Sequence, residues 1–166
     1  MRALGIDPGS RVTGIGVVEA EGGRLRSLHY QALRLGDGPF PDRLGVLFQG
    51  VRAAVADYAV TSAGVETVYV KHNVDSALKL GQARGAAIAA LVEGGLPVAE
   101  YTPARIKEAV VGRGSASKDQ VGFMVQRMLG LADGVPEDAA DALATAVCHA
   151  HHEQSSLQFG MGGGRR

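Results

Sequence analysis

The hydrophobic period changes partway along this chain, and that change restricts its fold more than any other feature. Ala3–Asp7, Val12–Glu19 and Leu25–Leu33 read as strands. Pro8-Gly9 stops the first, and Glu21-Gly22-Gly23 is a hairpin-turn signal between the other two. Beyond a Gly/Pro-rich connection from Gly36 to Pro41, Leu44, Leu47, Phe48, Val51, Val55 and Tyr58 fall at the spacing of an amphipathic helix. The types then alternate. Ala63–Val70 reads as a strand, Asn73 caps a helix to about Glu93 that Gly94-Gly95 ends, and Leu96–Tyr101 is another short strand. Pro103 opens a helix ending near Val111, Ser117 caps one to about Leu129, and a last helix runs from about Glu137 to His152. Three consecutive strands imply an antiparallel meander, and the alternation after it implies one mixed α/β sheet with helices on both faces. Residues 1–153 are read as a single domain. Residues 154–166, with four glycines and two terminal arginines, are expected to be a disordered tail.

No run approaches the roughly 18 apolar residues of a membrane helix, and the N-terminus lacks the long apolar stretch of a secretory signal. A single cysteine, Cys148, excludes an internal disulfide framework and fits a reducing compartment, so the expected location is cytoplasmic. The 17 basic and 17 acidic residues balance, which argues against a nucleic-acid binder, but their distribution is uneven. From Tyr101 to Lys118, the cations Arg105, Lys107, Arg113 and Lys118 face Glu108 alone; from Thr67 to Val92, Lys71, Lys79 and Arg84 face Asp75. Acids that hold metal ions are offset by those ions.

Four carboxylates stand out. Asp7 ends the first strand before a turn, where an aspartate can also simply cap that turn. Glu66 interrupts the apolar strand 63–70, where an unpartnered carboxylate is costly and calls for a buried arginine or a metal. Asp138 and Asp141 are three apart in PEDAADALATAV, so a helix puts both on one face with Cβ atoms about 5–6 Å apart. Helix-dipole chemistry accounts for Glu137 and Asp138, less well for Asp141 one turn further in. Four acids without a cysteine or histidine pair beside them suit the all-oxygen shells of Mg²⁺ or Mn²⁺. Two such ions about 3.5–4 Å apart activate a water and stabilise the leaving oxygen of a phosphodiester. Whether the four acids converge is a question for the tertiary structure.

LGIDPGSRVTG at Leu4–Gly14 resembles the opening motif of the RuvC family of Holliday junction resolvases. NVDSALKLGQARG at Asn73–Gly85, VVGRGSASK at Val110–Lys118 and DAADALA at Asp138–Ala144 resemble further segments of that family, in its order and spacing. The resemblance implies an RNase H-like fold, with a five-stranded mixed sheet whose first three strands are antiparallel. It implies that Asp7, Glu66, Asp138 and Asp141 form a site for two Mg²⁺ or Mn²⁺ ions; some members carry histidine where this chain has Asp138. Lys107 and Lys118 are implied to act on the DNA backbone or on transition-state charge. Tyr69 is implied to stack on bases near the crossover, where many relatives have phenylalanine. Lys71, Asn73, Arg84 and Arg113 are placed on the same DNA-binding surface.

The substrate so implied is a four-way DNA junction, cut by paired nicks in two opposed strands by a homodimer, in cooperation with a RuvA–RuvB branch-migration complex. Ala77, Gly81, Gly85 and Ala89 form a row of small residues at four-residue spacing. The row permits close approach either to the same helix of a partner or to the chain's own sheet, and the resemblance favours the dimer. A non-cleaving junction binder has no need of all four acids. A sugar-kinase-like ATPase, whose first turn can look like GIDPGS, needs a second lobe for which 166 residues leave no room. His149, His151 and His152 beside Cys148 lack the second ligand cluster of a zinc site, and a helix C-terminus suffices to favour histidines there.

Overall fold

The structure is a computed structural model and describes residues 1–67 and 73–160. Its centre is a five-stranded sheet of β1 (Arg2–Asp7), β2 (Val12–Glu21), β3 (Arg24–Arg34), β4 (Ser62–Glu66) and β5 (Val98–Tyr101), in the order β3-β2-β1-β4-β5. The meander expected at the start of the chain is present: β1 pairs antiparallel with β2, and β2 with β3. Gly22 and Gly23, with φ of 55° and 78°, supply the left-handed turn that a tight hairpin requires. β1 and β4 then pair in parallel, as do β4 and β5, so the carboxyl ends of β1, β4 and β5 share one edge.

Among the described residues, five helices cover the sheet: α1 (Phe40–Asp57), α2 (Val74–Glu93), α3 (Pro103–Val111), α4 (Lys118–Leu129) and α5 (Glu137–Gly160). The starts of α2, α3 and α4 follow local chemistry. The side chain of Asn73 accepts from the Ser76 N–H, Thr102 from Arg105, and Ser117 forms a reciprocal capping box with Gln120. Leu4, Ile6, Ile15, Val17, Ala63 and Val65 pack under α1 and α2, against residues such as Leu47, Val51, Ala87 and Leu91. On the opposite face several of the alternate positions, Gly5, Gly14, Gly16 and Gly64, are glycines. A Cβ on Gly5 would lie 2.1 Å from the Ala142 carbonyl oxygen, and one on Gly14 would lie 1.9 Å from that of Asp138. Gly16 and Gly64 are similarly covered, by Leu143 and by His149 with Tyr101. The missing side chains let the backbone of α5 rest directly on the sheet. α3 and α4 close over its outer side, which explains why Ala139–Ala150 is apolar or small nearly all round.

The meander strands run one or two residues longer than expected, and β4, β5 and α5 also differ in their limits. β4 stops at Glu66 rather than Val70; Thr67 has no strand assignment, and 68–70 lie outside the described residues. Glu66 therefore ends a strand instead of interrupting one, where its carboxylate can reach a cleft. β5 begins at Val98 rather than Leu96, since Pro97 has no N–H to give to a ladder. α5 continues to Gly160 instead of ending near His152: neither glycine nor proline occurs from Glu153 to Phe159, so nothing in that stretch breaks a helix. The last residues of the expected tail, 161–166, lie outside the described residues. Among the described residues, no helix is long and apolar enough to cross a membrane.

Candidate active site

Asp7 and Glu66 each stand one residue beyond the paired Ile6 and Val65, so two neighbouring parallel strands deliver two carboxylates to the same edge of the sheet. Ligands of open α/β sheets gather at such carboxyl ends. The first turns of α5, seated on Gly14, bring Asp141 to the same place. α3 and α4 complete a cleft of about 370 Å³ lined by Asp7, Glu66, Asp141, Lys107 and Lys118 among polar groups, with Leu80, Ile106 and Val121 among its apolar walls.

The acids act on one another. Burial pushes the Asp7 carboxyl up to about 7, with the charges of Glu66, Asp141 and Asp138 adding to the rise and Lys118 opposing it. Burial, then Asp141, also raises Glu66, while Lys118 and Lys107 hold it down. Lys118 Nζ donates to Asp141 Oδ2 at 2.7 Å and to Glu137 Oε1 at 2.9 Å, and the Asp141 bond above all holds its ammonium charged well above the usual lysine range. Carboxylates that destabilise one another's ionised forms, with an ammonium already bound to one of them, make a donor set suited to hard cations.

The four acids are not equivalent. Asp138 does not line the cleft; it reaches Asp7 only as the last of the charges that raise it. With Asp141 turned to Lys118, no three acidic, histidine or cysteine side chains among the described residues are gathered tightly enough to chelate an ion in their present rotamers.

Of the other expected residues, Lys107 lines the cleft and Arg113 is exposed in the turn after α3. Asn73 is the α2 cap. Tyr69 and Lys71 lie outside the described residues. Arg84, expected on DNA, is partly buried; its Nε donates to the Glu66 carbonyl oxygen at 3.4 Å and its guanidinium pairs with Glu100. The buried arginine weighed as a partner for the Glu66 side chain thus meets its backbone instead. The small-residue row does not meet the chain's own sheet: Gly81, Gly85 and Ala89 are exposed and Ala77 half-buried, while Ala83, Ala87, Ala90 and Leu91 are the buried positions of the helix. His149 is buried in mid-helix, its Nδ1 bonded to the Tyr101 hydroxyl at 2.9 Å. The sequence reading missed Glu137 as the second acceptor for Lys118, because an acid in a first helical turn is already explained by the dipole. It also missed the sheet glycines; their alternation with Leu4, Ile6, Ile15, Val17, Ala63 and Val65 was the available signal.

A five-stranded mixed sheet in this order, with acids at adjacent strand ends beneath a C-terminal helix, defines an RNase H-like nuclease. The family model of crossover junction endodeoxyribonuclease RuvC matches residues 3–149. A crossover junction endodeoxyribonuclease RuvC of Alkalilimnicola ehrlichii is 56% identical over 157 residues, covering 95% of this chain and 94% of the relative. The structure of Thermus thermophilus RuvC in complex with a Holliday junction substrate is 34% identical, with a TM-score of 0.88 over 94% of this chain and 96% of that one. The yeast mitochondrial Holliday junction resolvase Ydc2, at 12% identity and a TM-score of 0.65 over 95% of this chain and 83% of that one, shares the fold. The chain belongs to the RuvC family of crossover junction endodeoxyribonucleases. Dependence on a divalent metal comes with that membership.

Proposed function

We propose that this protein resolves Holliday junctions in homologous recombination and DNA repair by paired, symmetric nicks in two opposed strands. The observation that carries the reading is the meeting of Asp7, Glu66 and Asp141 with Lys107 and Lys118 in one cleft. Asp7, Glu66, Asp141 and, from the preceding turn, Asp138 would hold two Mg²⁺ or Mn²⁺ ions. Such ions, when bound, make water a competent nucleophile at neutral pH and neutralise charge on the phosphodiester oxygens. The water oxygen bonds to phosphorus as the P–O3′ bond breaks in line, leaving 5′-phosphate and 3′-hydroxyl ends. Lys107 on α3 and Lys118 on α4 line the same cleft and would face that phosphate. Their ammonium groups give charge-assisted hydrogen bonds to its oxygens. Arg113, Asn73, Lys71 and Tyr69 extend the contact along the strands, with Tyr69 stacking on an unpaired base near the crossover.

Two cuts related by a two-fold axis call for two sites so related, which a C₂ homodimer supplies. The exposed small row of α2, flanked by Leu78 at 62% and Val92 at 58% exposure, supports this helix as the dimer contact. On family grounds a RuvA–RuvB branch-migration complex delivers the junction, and the work is done in the cytoplasm, where the DNA lies.

The test is a labelled four-way junction incubated with Mg²⁺ or Mn²⁺ and wild type or Asp7→Asn. Symmetric nicks by wild type, and a bound but intact junction with the variant, are expected. Binding without cutting by wild type in either metal would mean a junction-binding protein and sink the nuclease reading.

A further inference from the structure

We infer that Arg84 is a positioning residue: its guanidinium fork fixes the end of β4, and hence Glu66, by joining α2 to β4 and β5. Three observations carry this. The fork makes two different contacts, with Nε on the Glu66 carbonyl oxygen at 3.4 Å and Nη2 on the Glu100 carboxylate. Glu100 sits opposite Val65 in the β4–β5 ladder, one position before the Glu66–Tyr101 pair, so the anchor belongs to the neighbouring strand. The Arg84 side chain is 23% exposed, which holds the charge against the protein more than it offers it to solvent.

The position matters because β4 ends at Glu66. Past that residue the Thr67 N–H and hydroxyl still reach the Tyr101 carbonyl oxygen, at 2.8 and 3.2 Å, so the β5 side of the strand end is tied. Arg84 ties it from α2. A carboxylate at a strand terminus holds its direction only as well as its backbone is held, and groups that orient metal-binding carboxylates typically change metal affinity or activity by about 10- to 100-fold. Arginine suits the task because its planar fork reaches two acceptors at fixed geometry, whereas lysine offers one point of charge. The same helix carries the exposed small row, so the contact also links the proposed dimer face to Glu66.

This inference rests on the nuclease reading for its effect on cutting, but not for its effect on cation binding. The experiment compares wild type, Arg84→Lys, Arg84→Gln and Glu100→Gln. Three quantities are read: junction affinity in EDTA, single-turnover cleavage at saturating protein, and Mn²⁺ affinity of the DNA-free protein by electron paramagnetic resonance. Thermal melts serve to show that each variant is folded. We expect all three variants to bind the junction like wild type. Each should bind Mn²⁺ and cut about 10- to 100-fold less well, with Arg84→Lys failing although its charge is kept. If Arg84 instead held a DNA phosphate, Arg84→Lys would cut normally, Arg84→Gln would lose junction affinity, and Glu100→Gln would gain it; that pattern overturns the inference. Wild-type Mn²⁺ affinity in all three variants also overturns it. A wild type that binds the junction without cutting would end the nuclease reading alone, and the Mn²⁺ titration would still decide on Arg84.

Discussion

Replacing Gly14 with alanine tests the idea that the site is assembled by how closely α5 approaches the sheet. The added Cβ would stand 1.9 Å from the Asp138 carbonyl oxygen and 2.7 Å from its carbon, where ordinary contact begins at 3.4 Å. The first turn of α5 must therefore lift by about 1.5 Å, or β2 must bend away by as much. Overpacking of this kind costs about 1–3 kcal/mol. For a chain of this size that is a fall in Tm of roughly 2–12 °C, which leaves the protein folded at 25 °C. The catalytic effect should be larger, because Asp138 and Asp141 ride on the lifted turn while Asp7 and Glu66 stay with the strands. A misplacement of about 1 Å can cost about 100-fold in rate. The assay is single-turnover cleavage of a four-way junction at saturating enzyme, with affinity measured separately in EDTA and Tm by calorimetry. Gly45→Ala is the control: its Cβ meets open space on the exposed side of α1, and it should stabilise the helix by about 0.5–1 kcal/mol without touching the rate. A folded Gly14→Ala protein that cuts at the wild-type rate would refute the reasoning.

Other outcomes follow from the charges and the exposed faces. In EDTA, the folded chain keeps a proton on Asp7 between its ordinary value of 3.8 and about 7, where the unfolded chain has released it, so stability falls as pH rises through that window. Asp7→Asn removes this penalty, whose ceiling is on the order of 4 kcal/mol. The variant should therefore melt above wild type at pH 8, and a lower Tm there would contradict the assignment. Lys118 opposes the rise of both Asp7 and Glu66. Lys118→Met should accordingly move the acid limb of the pH–rate profile upward as well as slow the reaction, and an unmoved limb would separate Lys118 from the acids. Leu78→Glu places a charge on the exposed stripe of α2 and should convert a dimer to monomer in analytical ultracentrifugation while leaving Tm at low protein concentration unchanged. A dimer that persists would put the interface elsewhere.

Much of the architecture is written in local chemistry. Asn73, Thr102 and Ser117 are caps because their side chains reach the first free N–H groups of the turns that follow them, an interaction spanning three residues. The meander and the alternation after it are carried by hydrophobic period, and the three-residue spacing of Asp138 and Asp141 puts them on one helix face wherever the helix lies. The four acids could be picked out as residues in the wrong company for their charge. Motif resemblance, not spacing, supplied their grouping.

Only the tertiary structure decided how those acids meet. Asp7 and Glu66 are neighbours because β1 and β4 pair in parallel, a contact between residues far apart in sequence that no local rule encodes. Asp141 lines the cleft and Asp138 does not, since the seating of α5 on Gly5, Gly14 and Gly16 sets its rotation and height. Arg84 is basic in sequence and could equally face DNA; its commitment to Glu66 and Glu100 follows from α2 lying beside β5. The small row of α2 reads the same whether it meets a sheet or a partner, and burial alone turned it outward. Period, caps and spacing act over a few residues and survive in the sequence, whereas strand pairing and helix seating are sums over distant contacts that exist only once the chain has folded.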